Sequence, residues 1–272
     1  MKKEFKEGIT KQGTPDLKYY AFDWDDNIVH MPTKIILEDE NGDEVPMTTE
    51  DFALYREKIG KENFDYDGQT IVGYAENPFR NFRVEGDDDF LVDAMRAKTG
   101  PAWPDFVEAV NNGSIFAIIT ARGHHPDTLK EGVYNYIINN FEGINKNKLI
   151  KNLKKYRSFV GEDEMDDDDL IKTYLELNRY HPVSFGDEEG ATNPEAAKVK
   201  AMESFVNYIK GMAALLDKRA FLKRDIGNRF VPSIGFSDDD PKNVEVMKRH
   251  FENKPGNIVK TYSTAGGIKR KA

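Results

Sequence analysis

The chain has 272 residues, 39% of them hydrophobic and 32% charged, with no cysteine and a formal net charge of -9. That length suits one large domain or a core with a smaller companion, and that composition is globular. Disulfides, thiolate nucleophiles and cysteine-ligated metal centres are excluded, and the negative charge argues against a broad basic face for duplex nucleic acid.

Residues 1–16 read as a polar tail. Met1 to Gly13 is rich in Lys and Glu and lacks the apolar core of a signal peptide. No later stretch is long and apolar enough to span a membrane. A cytoplasmic location without a membrane partner is therefore expected. Leu17 to Phe22 reads as a short buried strand. It runs into Asp23-Trp24-Asp25-Asp26-Asn27, a crowd of acids that needs cations, hydrogen bonds or water. The carboxyl ends of strands are also where open α/β sheets bind ligands.

Residues 28–102 read as a small inserted mixed α/β cap. Thr33 to Leu37 and Glu44 to Met47 flank Asn41-Gly42, a hairpin signal. Thr48 or Thr49 caps a helix from Glu50 to Ile59. Residues 63–85 read as irregular, and Asp88 to Lys98 is amphipathic. From 103 onward, strands and helices alternate. A helix is expected over Pro104–Asn111, a buried strand over Ser114–Thr120, a helix from Pro126 to Asn139 and a basic helix from Lys146 to Tyr156. The acidic run 162–169 reads as a solvated loop or edge, with a calcium site as the alternative, though its spacing lacks the Gly and terminal Glu of the familiar calcium loop. A strand over Pro182–Phe185 follows. Asn193-Pro194-Glu195 then opens a helix whose inward stripe is Val199, Met202, Phe205, Val206 and Ile209. A strand over Ser233–Phe236 starts after Pro232, which is awkward inside a sheet. It leads to Asp238-Asp239-Asp240 and a helix from Pro241 to His250. Asn257 to Lys260 reads as a last strand, and 261–272 as a flexible tail. This order predicts a three-layer α/β sandwich on a mostly parallel, Rossmann-like sheet. Its core is 17–27 with 103–260, and the cap is 28–102.

In a parallel sheet the strand ends share one edge, so Asp23, Asp25, Thr120, Asp238 and Asp239 can meet around one phosphate. A carboxylate can attack phosphorus and form an aspartyl-phosphate. It must approach an anion, and two unit charges about 4 Å apart interact by roughly 4 kcal/mol at an effective dielectric of ~20. A metal ion and a lysine are therefore needed beside it.

Phe22-Asp23-Trp24-Asp25-Asp26-Asn27-Ile28 resembles the first motif of the haloacid dehalogenase-like (HAD) hydrolases. Ile118 to Gly123 resembles the second, and Phe236 to Val244 the fourth, in its adjacent-aspartate form. The resemblance implies that Asp23 attacks phosphorus and that Asp25 acts as general acid and then as general base. It implies a Mg2+ ion held by the Asp23 and Asp238 side chains and the Asp25 backbone carbonyl, with Asp239 orienting or bound through water. Thr120 would donate its hydroxyl to a phosphate oxygen. The third-motif lysine is Lys198 or Lys200, with Lys218 and Lys223 also open. Asp26 and Asn27 depart from the commoner Gly followed by Thr or Val. Both stand as substrate-binding candidates, with a solvent-facing Asp26 and a backbone-capping Asn27 as the alternatives. Arg122 either clamps an anionic part of the substrate through its fork or is structural. His124 and His125 either line the pocket or pack, Trp24 reads as packing, and Asn243 as a brace for the acidic loop. A cap inserted after the first motif implies that specificity resides there. Phe64, Tyr66, Tyr74, Phe79, Arg80, Phe82 and Arg83 either line its pocket or make its own core.

The function expected is a Mg-dependent phosphomonoester phosphatase working through an aspartyl-phosphate on a small phosphorylated substrate. The alternatives are a phosphomutase, a nucleic-acid-end phosphatase using Arg122 and the basic Lys146–Arg157 segment, or a non-catalytic phosphate-binding protein. Substrate identity and oligomeric state are not written in the sequence.

Overall fold

A computed structural model describes residues 16–160, 164–186, 193–222 and 231–272. In chain order these form β1 (Asp16–Phe22), β2 (Val29–His30), β3 (Ile35–Asp39), β4 (Glu44–Met47), α1 (Thr49–Tyr55), β5 (Phe64–Tyr66), β6 (Gln69–Tyr74), α2 (Asp87–Arg96) and β7 (Lys98–Thr99). There follow α3 (Trp103–Asn112), β8 (Phe116–Thr120), α4 (Pro126–Ile138), α5 (Lys146–Val160), α6 (Asp167–Leu177), β9 (Arg179–Pro182), α7 (Pro194–Leu222), β10 (Val231–Asp238), α8 (Pro241–Glu252), β11 (Val259–Ser263) and β12 (Arg270–Lys271).

The main sheet has the order β12-β11-β10-β1-β8-β9, and every neighbouring pair is parallel except β11 with β12. Side chains alternate across it with period two. Phe22, Phe116 and Ile118 pack on one face with α2, α3, α4, α5 and α6. Tyr19, Ala21, Ala117 and Ile119 pack on the other with α7 and α8. This is a three-layer α/β architecture. Each fully buried Phe or Ile in it contributes about 1.5–3 kcal/mol. The chain winds from β1 out through β8 to β9, then returns to the opposite side of β1 for β10 and β11. The winding reverses between β1 and β10, and the crevice beyond their carboxyl ends is the favoured ligand position in such sheets.

The 28–102 segment carries a separate antiparallel sheet, β4-β3-β6-β5, with its own core of Ile35, Leu37, Val45, Met47, Ile59, Phe64 and Ile71. The short β2 and β7 pair where the segment leaves and rejoins β1 and α3. Gly100 is required there, since a Cβ would lie 2.5 Å from the Asn27 carbonyl oxygen. The segment is not self-contained in its packing. Phe90, Ala94 and Ala97 belong to the cluster of the main sheet, and Phe90 packs against Trp24.

Several expectations are corrected. Residues 63–85 contain the β5–β6 hairpin, closed by Asp67-Gly68 with φ of 51° and 79°, the type I′ pattern. The described part of the acidic run opens α6. The Asp166 side chain accepts the Asp168 and Asp169 N–H groups, and three acids occupy the positive first turn. The strand expected at 182–185 lies earlier, as β9, because Arg179 to Pro182 keep register with β8 while 183–186 turn away. Pro232 lies inside β10 after all; pairing with β11 begins only at Ile234, so it interrupts no two-sided ladder. Residues 261–272 complete β11, turn and return as β12, and the Lys269 ammonium donates to Asp105 at 2.7 Å. Residues 1–15, Lys223 and part of the acidic run (162–163) lie outside the described residues, as does the Lys218 side chain. Among the described residues no helix is long and apolar enough to cross a membrane.

Candidate functional site

Asp23 leaves the end of β1 and Asp238 ends β10, side by side because Phe22 and Ser237 are in register. The loop between β1 and β2 is tied down by Asn27, which is fully buried. Its amide reaches the Asp23 and Ser237 carbonyls at 3.0 and 3.1 Å, and its Oδ1 accepts the Thr264 hydroxyl at 2.9 Å. Asn27 therefore joins three loops. Asp26 occupies the left-handed region at φ 53°, which explains why Gly is the easier residue there, and its carboxylate meets His30 at 2.8 Å.

Asp23, Asp238 and Asp239 each present a carboxylate oxygen within 4.8 Å of the others. Lys198, from the second turn of α7, is buried between them. Its Nζ donates to Asp238 Oδ2 at 2.8 Å and lies 3.0 Å from Asp23 Oδ1. The latter contact is an ion pair without hydrogen-bond alignment, and Asp23 Oδ1 is left buried with no hydrogen-bond donor. Asp238 is held more firmly. Its Oδ1 accepts the Asp240 N–H and the Asn243 amide, both at 3.0 Å, so Asn243 does brace the loop. Lys200, two residues on and about 200° round the helix, is exposed to solvent and takes no part in the cluster.

One ammonium cannot neutralise three acids. Burial above all, with Asp238 and Asp25 adding to it against the opposing pull of Lys198, raises the Asp23 carboxyl to about 8. Burial, then Asp23 and Asp238, carry Asp239 to about 9. Burial alone would push the Lys198 ammonium down, but Asp23 and Asp238 outweigh it and hold it above the usual range. Three carboxylates this close, sharing one ammonium, form a group that could coordinate a divalent cation. The donor set, all carboxylate oxygen, suits a hard ion such as magnesium.

Asp25 faces a second network. The Arg122 guanidinium, buried at the end of the β8 loop, grips it in bidentate fashion, with Nε to Oδ2 at 2.8 Å and Nη2 to Oδ1 at 2.7 Å. Nη2 also donates to Thr33 Oγ1 at 3.1 Å, and Nη1 to His124 Nε2 at 3.0 Å. His124 Nδ1 meets Asp87 at 2.8 Å, and Asp87 also accepts the Thr128 hydroxyl at 2.8 Å. Burial and the Arg122 charge push His124 down to about 4. Its neutral ring then donates from Nδ1 and accepts at Nε2, the tautomer this chain of contacts requires. The Arg122 fork is thus occupied by Asp25 in this structure. Thr120 is buried beside it, and its Oγ1 accepts the Arg122 N–H at 3.3 Å. His125 caps α4, accepting the Asp127 N–H at 3.2 Å. Trp24 is fully buried and stacks on Tyr136.

Thr33, Asp87 and His124 are the residues that sequence reasoning did not place in a network. No spacing pattern joins them, and they meet only because α2 docks against α4. Of the aromatics in the 28–102 segment, Phe64 sits in that segment's own core, with Tyr66, Phe79 and Phe82 packed against it. Arg80 pairs with Glu44, and Arg83 donates to the Ser184 carbonyl at 2.7 Å. Nothing matches this chain among family models, curated proteins or solved structures. The site therefore stands on its geometry: a mixed α/β fold with a buried cluster of three aspartates and a lysine, suited to holding a metal ion.

Proposed function

We propose that the protein is a magnesium-dependent phosphomonoester phosphatase of the haloacid dehalogenase-like type, with Asp23 as nucleophile and a small phosphorylated substrate. The observation that carries this reading is the cluster of Asp23, Asp238 and Asp239 around the buried Lys198, with Asp23 Oδ1 ion-paired to that ammonium but accepting no aligned hydrogen bond, where the sheet winding reverses. The order of the motifs along β1, β8 and β10 supports the same family.

On this reading Asp23 attacks phosphorus, the bond to the leaving oxygen breaks, and Asp25 gives that oxygen its proton. Asp25 then takes a proton from water, the water oxygen attacks phosphorus, and the bond to Asp23 breaks to release phosphate. Lys198 offsets charge beside the nucleophile, and Thr120 offers its hydroxyl hydrogen to a phosphate oxygen. Asp23, Asp238 and the Asp25 carbonyl would hold a magnesium ion, with Asp239 direct or through water, and the ion would supply neutralisation and polarisation of the phosphoryl oxygens. The β3–β6 sheet acts as a cap. Arg56 of its α1 side reaches Asp240 at 3.1 Å, and Lys242 reaches Glu57 at 3.0 Å, beside the acid loop.

The test is phosphate release with and without magnesium across sugar phosphates, nucleotides and end-phosphorylated oligonucleotides. Release by wild type that vanishes in Asp23→Asn is expected. Isomerisation of a sugar phosphate without net release would replace the hydrolase by a mutase, and no turnover by folded protein would remove the catalytic reading.

A further inference from the structure

The guanidinium that grips Asp25 sits in a socket made largely by the 28–102 segment. Phe82 and Phe90 flank it, with ring centroids 4.6 and 5.2 Å from its central carbon. Thr33 accepts from Nη2, and its own hydroxyl donates onward to Asp93 at 3.3 Å. Asp87 fixes the far side through His124. Arg122 itself is 1% exposed, whereas the Asp25 side chain is 17% exposed and retains an open side. A planar fork matched to a carboxylate fixes both its position and its plane, which a lysine cannot do. None of these hydrogen bonds reaches Asp23, Asp238 or Asp239.

We propose that Arg122 is a positioning residue for proton transfer by Asp25, and that the inserted segment sets the aim of that carboxylate through the Thr33, Phe82, Phe90 and His124–Asp87 socket. The inference rests on the phosphatase reading given above. The segment that covers the site thereby also builds the support of the acid–base group. When it is docked, Asp25 is aimed; when the socket is altered, Asp25 loses its aim while Asp23 and the metal cluster remain in place.

A misaimed acid matters only when the leaving oxygen needs a proton. The experiment uses single-turnover release of the leaving group, so that hydrolysis of the phosphoenzyme does not mask the first step. Two substrates are compared: 4-nitrophenyl phosphate, whose leaving group departs unprotonated, and the alkyl phosphate turned over best in the substrate panel. The variants are Arg122→Lys, which loses the fork, and two that preserve packing, His124→Phe and Thr33→Val. The expected result is a loss about 10- to 100-fold greater on the alkyl phosphate than on the nitrophenyl ester for Arg122→Lys, given that positioned acids contribute about 10²–10⁴-fold. Smaller losses with the same bias are expected for His124→Phe and then Thr33→Val. Substrate affinity should stay within a few-fold, because none of the three is placed on the substrate. Equal losses on both substrates in the variants would overturn the inference and make the socket merely structural. Absence of leaving-group release by wild type from either substrate would overturn the phosphatase reading, and the inference with it.

Discussion

Two buried polar clusters lie side by side at the carboxyl edge of the sheet, and they are built on opposite terms. Around Asp25, the Arg122 fork, Thr33, His124, Asp87 and Thr128 each meet a partner at 2.7–3.1 Å. Around Asp23, three acids share one lysine, one oxygen has no donor, and two carboxyls are driven up to about 8 and 9. A satisfied buried network rigidifies what it holds, whereas an unsatisfied one stores a penalty that a ligand can relieve. The first has the form of a support, and the second that of a group that could coordinate a divalent cation.

The difference can be broken most severely at Asp238. Asp238→Asn removes one unit charge from the proposed cation site, so magnesium affinity measured by calorimetry should fall about 1,000-fold, on the scale of roughly 4 kcal/mol per close charge pair. An unchanged affinity would place the ion elsewhere. In the satisfied cluster, Arg122→Met should cost about 2–4 kcal/mol of unfolding free energy in denaturant titration, less than for a fully buried pair because Asp25 keeps some water. A neutral effect would show that the network is not holding structure.

The pH dependence separates the clusters next. Asp23 and Asp239 lose their protons near 3.8 when unfolded but hold them to about 8 and about 9 when folded. The folded state therefore binds more protons across that window, and metal-free stability falls as pH rises through it. A bound cation removes the penalty. The gain in Tm from saturating magnesium should grow from about pH 5 to about pH 8, reaching roughly 5–10 °C. A gain independent of pH would break the link between these acids and the ion. The smallest effect is expected at Lys200→Ala. It should change stability by less than about 0.5 kcal/mol and leave phosphate release intact, since the side chain points to solvent. Lys198→Ala should abolish release.

Much of this was legible in the sequence, for local reasons. The strand before Asp23, the buried strand before Thr120 and the Asn193-Pro194 helix start are set by apolar pattern and capping, which need no distant partner. That helix start makes Lys198 and Lys200 candidates, of which only one can face the site; the choice of Lys198 comes from its contacts with Asp23 and Asp238. The Asp25–Arg122 grip was not legible. The two residues are 97 positions apart and meet only once β1 lies beside β8. The Thr264–Asn27 bond spans 237 positions and forms only once β10 lies between β1 and β11. Other features carried local signals that lost to a competing reading. Asp67-Gly68 marks the β5–β6 hairpin within an aromatic stretch, and Asp166 caps α6 within a run of acids that reads as solvated loop. The glycines and lysines near the end suggest a tail, yet β11 offers an open edge on which Arg270 and Lys271 pair.

The decisive measurement is acid-quench trapping of the phosphoenzyme, with the modified peptide located by mass spectrometry during turnover of the best substrate. A phosphoryl group on Asp23 that requires magnesium and is absent in Asp23→Asn is the expected result. Steady turnover with no phosphoenzyme, or with the group on another residue, would contradict the assignment of Asp23 as nucleophile.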